Sequence, residues 1–334
     1  MITLRLSASN NDDLARAASL LRAGALVAIP TETVYGLAAN AFDAAAVAGI
    51  FAAKGRPQDN PLIAHVPDAE QARPLVKSWP AAAQRLAAAF WPGPLTIILQ
   101  RAESIPAIVS AGLGTLAIRV PAHPAAQAVL RAAGVPLAAP SANRSGSPSP
   151  TLARHALADL DGKIAAVLDG GPCAVGVEST VLDLTGEAPV LLRPGGVPVE
   201  RLEAALGQSV ALSPAVAHAP AAETPAPSPG MKYRHYAPLA QLTLVRGSLQ
   251  AFLELAAHEH PGGLLVFDGD AIPGSWPVLR YGDNPEQQAR QLFTKLREID
   301  ERGWETALVR CPPKEGLGLA VYNRLLRAAN FREV

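Results

Sequence analysis

Cysteine is almost missing from this 334-residue chain: there are two, Cys173 and Cys311, with no CxxC spacing. That excludes a disulfide framework and a thiolate zinc site, and buried free thiols are the expectation. Charge is scarce as well, at 17% of residues, and 29 Lys plus Arg balance 29 Asp plus Glu. A formal charge of zero excludes a broadly basic nucleic-acid binder and a disordered charged tail, so any anion site must be local. No run of residues is apolar for long enough to span a bilayer, and "MITLRLSASNNDDLARAASLL" has no charged region leading into an apolar one. A soluble cytoplasmic protein is therefore expected. Familiar motifs are missing too: there is no GxxxxGK[ST], HExxH or GxSxG. "GLGTLA", residues 112–117, fits GxGxxA in letters but leads into a strand, whereas a dinucleotide fingerprint needs a helix N-terminus there.

What is present is alternation. Leu14, Ala17, Ala18 and Leu21 share a helical stripe that an Asn or Asp can cap and Gly24 can end. Strand "ALVAIP" follows, then a helix over 44–54, "PLIAHV", a helix over 80–90, "LTIIL", "TLAIRV", a helix from Pro124, "VPLAA", "IAAVLD", "STVLDL" and "APVLLR". This pattern predicts a mixed α/β domain over residues 1–207. Residues 208–238 open with a Pro- and Ala-rich stretch and read as a linker, and 239–334 as a small sheet covered by helices at 249–258, 285–302 and 318–329.

Candidate chemistry gathers at strand ends and tight turns. In "KGRPQDNP", residues 54–61, Lys54 continues the apolar stripe of Val47, Ile50 and Phe51, which buries its stem and lets its ammonium emerge at the helix end. Arg56 follows in a turn bracketed by Pro57 and Pro61. A lone Lys there would merely suit the helix dipole, whereas two cations on a stiff turn point to an anion clamp. Period two puts Arg119 opposite the aliphatic face of Leu116, Ile118 and Val120, and His65 opposite Leu62, Ala64 and Val66. Taken alone, His65 reads better as a satisfied core imidazole and Arg119 evenly as solvent-facing. "PSANRSGSPSPT" is either a plain Ser/Pro loop or a set of hydroxyls and amides suited to phosphate oxygens. Thr31, Glu32, Thr33, Glu178, Ser179, Thr180 and Arg193 stand at other strand exits, where α/β sites form. His258 and His260 make only a weak metal pair.

In combination, "PTETVYGLAANA", "KGRPQDNPLIAHV", "WPGPLTIIL", "LAIRVPAHP", "PSANRSGSPSPT", "GGPCAVGVESTVLDL" and "LLRPGG" closely resemble the YrdC-type domain of threonylcarbamoyl-AMP synthases. "SPGMKYRHYAP" and the second domain resemble the longer, two-domain form of that family. The resemblance implies a twisted mixed sheet around a concave basic cavity, plus a small Rossmann-like α/β second domain. It implies synthesis of threonylcarbamoyl-AMP and pyrophosphate from L-threonine, bicarbonate and ATP, with Mg2+ carried on the ATP, and a separate transferase that moves the group to tRNA. By motif match, the nucleotide falls to Lys54, Arg56, Thr115, Ser141, Asn143, Ser149, Arg193 and Tyr233, the last in a linker that folds over the active site. Threonine falls to Thr31, His65, Arg119 and Ser179. No general base is assigned.

Two other readings compete. A carbamoyltransferase of hydrogenase maturation shares a YrdC-like domain, but that class carries an acylphosphatase domain and CxxC zinc motifs not found here. A non-catalytic module that binds tRNA or duplex RNA would use the same concave surface, but zero net charge and few aromatics weigh against it.

Overall fold

Residues 2–218 and 236–334 are described by the structure, a computed structural model. Eleven strands build the first sheet: β1 (Leu4–Ser7), β2 (Val27–Ile29), β3 (Gly36–Asn40), β4 (Ile63–His65), β5 (Leu95–Gln100), β6 (Thr115–Arg119), β7 (Leu137–Ala138), β8 (Ala166–Asp169), β9 (Thr180–Asp183), β10 (Val190–Arg193) and β11 (Ala211–Leu212). In space they run β1, β8, β2, β3, β7, β4, β6, β5, β9, β10, β11, with parallel and antiparallel neighbours mixed. Its helices are α1 (Asn11–Arg22), α2 (Ala44–Lys54), α3 (Ala69–Ala72), α4 (Ala81–Phe90), α5 (Pro124–Ala133), α6 (Ala153–Leu160) and α7 (Val199–Leu206).

Local chemistry sets the boundaries that matter for the site. The Asp43 carboxylate accepts from the amides of Ala45 and Ala46 to start α2, and Gly55, at φ +62°, ends it in the left-handed conformation that glycine adopts without strain. Within α2, Val47, Ile50, Phe51 and Lys54 are all buried. Strand β6 alternates: Leu116 and Ile118 join the main core, while Ala117 packs on the other face with Ile63, Ile98, Val181 and Leu192. Parallel pairing sets His65 beside Arg119 on that second face.

The second sheet is all parallel, in the order β12 (Gln241–Val245), β15 (Thr306–Arg310), β13 (Gly263–Val266), β14 (Val278–Arg280). Helices α8 (Leu249–Glu259), α9 (Pro285–Glu301) and α10 (Gly318–Ala328) cover it. Both sheets belong to the α/β class, and the all-parallel, helix-covered one is Rossmann-like.

The expected linker is in part built into the fold. Residues 211–212 pair with β10, and α10 grips the stretch that follows through Asn323 Nδ2 to the Val216 carbonyl (2.7 Å) and Arg327 to the Ala215 carbonyl (2.7 Å). Tyr233 lies outside the described residues. His258 and His260 stand at the end of α8, and among the described residues no group of three His, Cys, Asp or Glu could hold a metal. Cys173 is buried and Cys311 half-buried, and both are unpaired. Among the described residues no helix is long and apolar enough to cross a membrane.

The second domain rests on the rim of the first. Val34 and Val177 are buried in its hydrophobic cluster with Phe293, Tyr322 and Leu325. Arg297 bridges to Asp159 (2.7 Å) and Arg290 donates to the Ala174 carbonyl (3.0 Å).

Candidate active site

A cleft opens over the face of β4 and β6 that carries His65 and Arg119. Its walls come from segments distant in sequence: the turn after β2, the turn after α2, the loop after β7, the entry to β9, the exit of β10 and Tyr236. Eight of the twelve sequence-predicted residues line it, namely Thr31, Arg56, His65 and Arg119 with Ser141, Asn143, Ser179 and Arg193.

The other four stand elsewhere. Ser149 is fully buried behind the wall, its hydroxyl donating to Glu178 Oε1 (2.5 Å). Thr115 is the first residue of β6 and Arg119 the last, so about 13 Å of strand separates them. Tyr233 is outside the described residues. Lys54 departs from the helical-phase reading: its ammonium does not emerge but is 2% exposed, and it donates to the carbonyls of Ser141 and Asn143, both at 2.5 Å. Burial, and then the charge of Arg56, hold its pKa well below the usual lysine range. Lys54 ties down the loop that presents Ser141 and Asn143 to the cleft. The Asn143 amide tightens that loop further by donating to the Arg144 and Ser147 carbonyls, both at 2.8 Å.

Around Arg119 the polar groups interlock. Its guanidinium pairs with Glu32 (2.7 Å), donates to the Thr33 hydroxyl (2.9 Å) and reaches the Gly93 carbonyl (3.3 Å). Glu32 also accepts from the Ala122 amide (3.0 Å), so the acid is anchored while the arginine faces the cleft. The Thr31 hydroxyl closes its own turn on the Val34 carbonyl (2.6 Å). His65 donates Nδ1–H to the Ile63 carbonyl (3.1 Å), and burial, helped by the Arg119 charge, lowers its pKa to about 3. The imidazole is thus neutral, with Nε2 left as an acceptor.

On the opposite wall, Ser179 bonds Thr96 (2.8 Å) and accepts from Arg193 Nη2 (3.2 Å), and Arg193 Nε donates to the Ser179 carbonyl (3.1 Å). Burial lowers the pKa of Arg193, with the other arginines nearby adding to the effect.

Glu178 and Tyr236 line the cleft without a role assigned from sequence. Glu178 lines the cleft and bonds Arg324 of α10 (2.6 Å) as well as Ser149. Burial alone would raise its pKa, but the charges of Arg324 and Arg193 outweigh that and pull it down. Tyr236 also lines the cleft and packs on Phe293, ring centres 5.5 Å apart. Asn60 is 1% exposed beside Arg56, and neither atom of its amide has a partner among the described residues. Glu178 carried a signal in sequence, as a polar residue at a strand entry, and Tyr236 only its place in "SPGMKYRHYAP". Tyr236 packs on Phe293 of α9, and Glu178 takes its partner from α10, 146 residues on.

Chemically, Arg56, Arg119 and Arg193 converge on one cleft, and the two adjoining carboxylates are each matched by an arginine. Guanidinium groups gathered in this way suit anionic substrates aligned side by side.

Comparison with known proteins gives a consistent result. A Sua5/YciO/YrdC family model described as telomere recombination matches residues 19–195, and one described as threonylcarbamoyl-AMP synthase, C-terminal domain, matches residues 197–330. The chain is 47% identical over 321 residues to the threonylcarbamoyl-AMP synthase of Pyrococcus abyssi, spanning 95% of this chain and 94% of that one. It is 44% identical over 334 residues to that of Bacillus subtilis, spanning 98% and 95%. The crystal structure of P. abyssi Sua5 complexed with L-threonine is similar with a TM-score of 0.93 at 44% identity, covering 100% of this chain and 99% of that one.

Proposed function

This chain belongs to the threonylcarbamoyl-AMP synthase family, and on that premise we propose that its cleft joins L-threonine, bicarbonate and ATP into threonylcarbamoyl-AMP, pyrophosphate and water. The enzyme is a nucleotidyltransferase. The observation that carries the substrate assignment is the convergence of Arg56, Arg119 and Arg193 on one enclosed space.

Threonine takes the Arg119 side. Its carboxylate meets the guanidinium edge that faces the cleft, which Glu32 and Thr33 hold in orientation. The neutral His65 offers Nε2 to the hydroxyl or the amine, and Ser179 and Thr31 border the same end. The nucleotide takes the loop after β7, where Ser141 and Asn143 share the cleft with Arg56 and Arg193. Lys54 and Ser149 serve this end by holding its walls, and Thr115 and Tyr233 are assigned to the nucleotide by motif alone.

The reaction then needs alignment and charge neutralisation more than a protein nucleophile. The uncharged threonine amine takes up bicarbonate as a carbamate, whose oxygen attacks the α-phosphorus, and pyrophosphate leaves. Two anions must approach one another, and fixed guanidinium groups lower the cost of that approach. Magnesium accompanies the triphosphate as part of the substrate: the carboxylates at the cleft, Glu32 and Glu178, are committed to arginines and do not build a cage for it. The product passes to a separate tRNA threonylcarbamoyl transferase in the cytoplasm, and any RNA contact by this chain itself is weak.

The test is pyrophosphate release by the purified chain. Release that requires both L-threonine and bicarbonate supports the reading; release at the same rate without threonine overturns it.

A further inference from the structure

Arg324 is the largest fully buried side chain, and it belongs to the second domain. Among the described residues it makes a single ion pair, donating Nε–H to Glu178 Oε2 at 2.6 Å across 146 residues of sequence. Its Nη1 donates to Asn323 Oδ1 (2.7 Å), and its Nη2 has no acceptor among the described residues. Glu178 in turn faces the cleft, and its other oxygen accepts from Ser149. One carboxylate is therefore shared by the cleft wall, the loop after β7 and a helix of the other domain.

The backbone around Glu178 is held from the same side. Gly176 takes φ +85°, and a Cβ there would stand 2.3 Å from the Ala289 carbonyl oxygen in α9. Val177 is buried in the hydrophobic cluster of the second domain, and Arg290 ties the Ala174 carbonyl to α9. Thus the segment that enters β9 is moulded between two domains, and the carboxylate it carries is oriented from the second.

We propose that Arg324 is a positioning residue for the synthase reaction: through Glu178 it fixes Ser149 and the field at Arg193, so the second domain sets the nucleotide end of the cleft. This rests on the functional reading above. The threonine end depends less on Arg324, because Ser179 is also held by Thr96 of β5, which pairs with β9.

The experiment is steady-state kinetics on the full chain with Arg324→Lys, which keeps the charge but not the directed Nε–H donor. The expected result is a rise in KM for ATP of about tenfold or more, with KM for threonine moving less than about threefold. If Arg324→Lys fails to fold, the pair Glu178→Gln with Arg324→Met removes both buried charges together; it should fold and still show the raised KM for ATP. A wild-type KM for ATP in either folded variant overturns the proposal, as does a rise shared equally by both substrates. Failure here leaves the wild-type requirement for threonine and bicarbonate intact, so the two readings fall separately.

Discussion

An alanine at position 195 would bring its Cβ to 2.2 Å from the Thr180 nitrogen, 2.3 Å from the Ser179 carbonyl carbon and 2.4 Å from the Glu178 oxygen. All three are backbone atoms of the entry to β9, so no rotamer relieves the clash. To restore contact near 3.5 Å, the exit of β10 and the entry of β9 must part by roughly 1 Å. That movement strains the Arg193 bond to the Ser179 carbonyl and the mutual bonds of Thr180 and Val197, at 2.7 and 2.9 Å. Overpacking of this kind costs about 1–3 kcal/mol, which a shift in the urea midpoint at unchanged slope would show. The kinetic cost is larger in proportion, since a misplacement of about 1 Å can lower turnover by roughly a hundredfold. Gly195→Ala is therefore expected to be folded and about tenfold to a hundredfold lower in kcat/KM, although its side chain meets no substrate. A variant with wild-type kcat/KM and an unmoved midpoint would refute the claim that these two strand ends set the site.

Lys54→Met keeps the buried stem but leaves the Ser141 and Asn143 carbonyls without their donor, so a loss of about 1–3 kcal/mol in urea unfolding and a raised KM for ATP are expected together. Arg119→Lys retains charge but loses the planar fork, and should raise KM for threonine about tenfold or more while KM for ATP holds steady. Acid should weaken the fold through His65. With a folded pKa of about 3 against about 6.5 unfolded, only the unfolded chain takes up the proton in that window. Stability from this group is thus complete above about pH 6.5 and falls as pH drops, by about 1.4 kcal/mol per unit, and His65→Gln should flatten that part of the slope in urea midpoints.

Much of the fold was legible because its signals are local. The stripe of α2, its Asp43 cap and Gly55 stop all lie within a dozen residues, and the alternation of β6 placed Arg119 and Leu116 on opposite faces before any partner strand was known. Strand β3, "GLAAN", has neither alternation nor branched residues, and it is a strand because β2 and β7 pair with it. Helix α6 begins two residues after a Ser/Pro-rich run that reads as loop, and β11 lies in a stretch that reads as linker until β10 pairs with it. The depth of Lys54 was out of reach for a similar reason: helical phase gives the direction of a side chain, while the carbonyls that receive its ammonium come from a loop 87 and 89 residues away. Glu178 is the sharpest case, since its partner Arg324 is in the other domain.

The decisive chemistry is the building of a carbamate from bicarbonate on threonine and its coupling to AMP in this cleft. Incubation of the chain with L-threonine, ATP and carbon-13 bicarbonate, followed by mass spectrometry of the nucleotide products, tests this directly. One labelled carbon is expected in a threonine-containing adenylate, formed in step with pyrophosphate; an unlabelled threonyl adenylate, or pyrophosphate with no adenylate adduct, would rule this chemistry out.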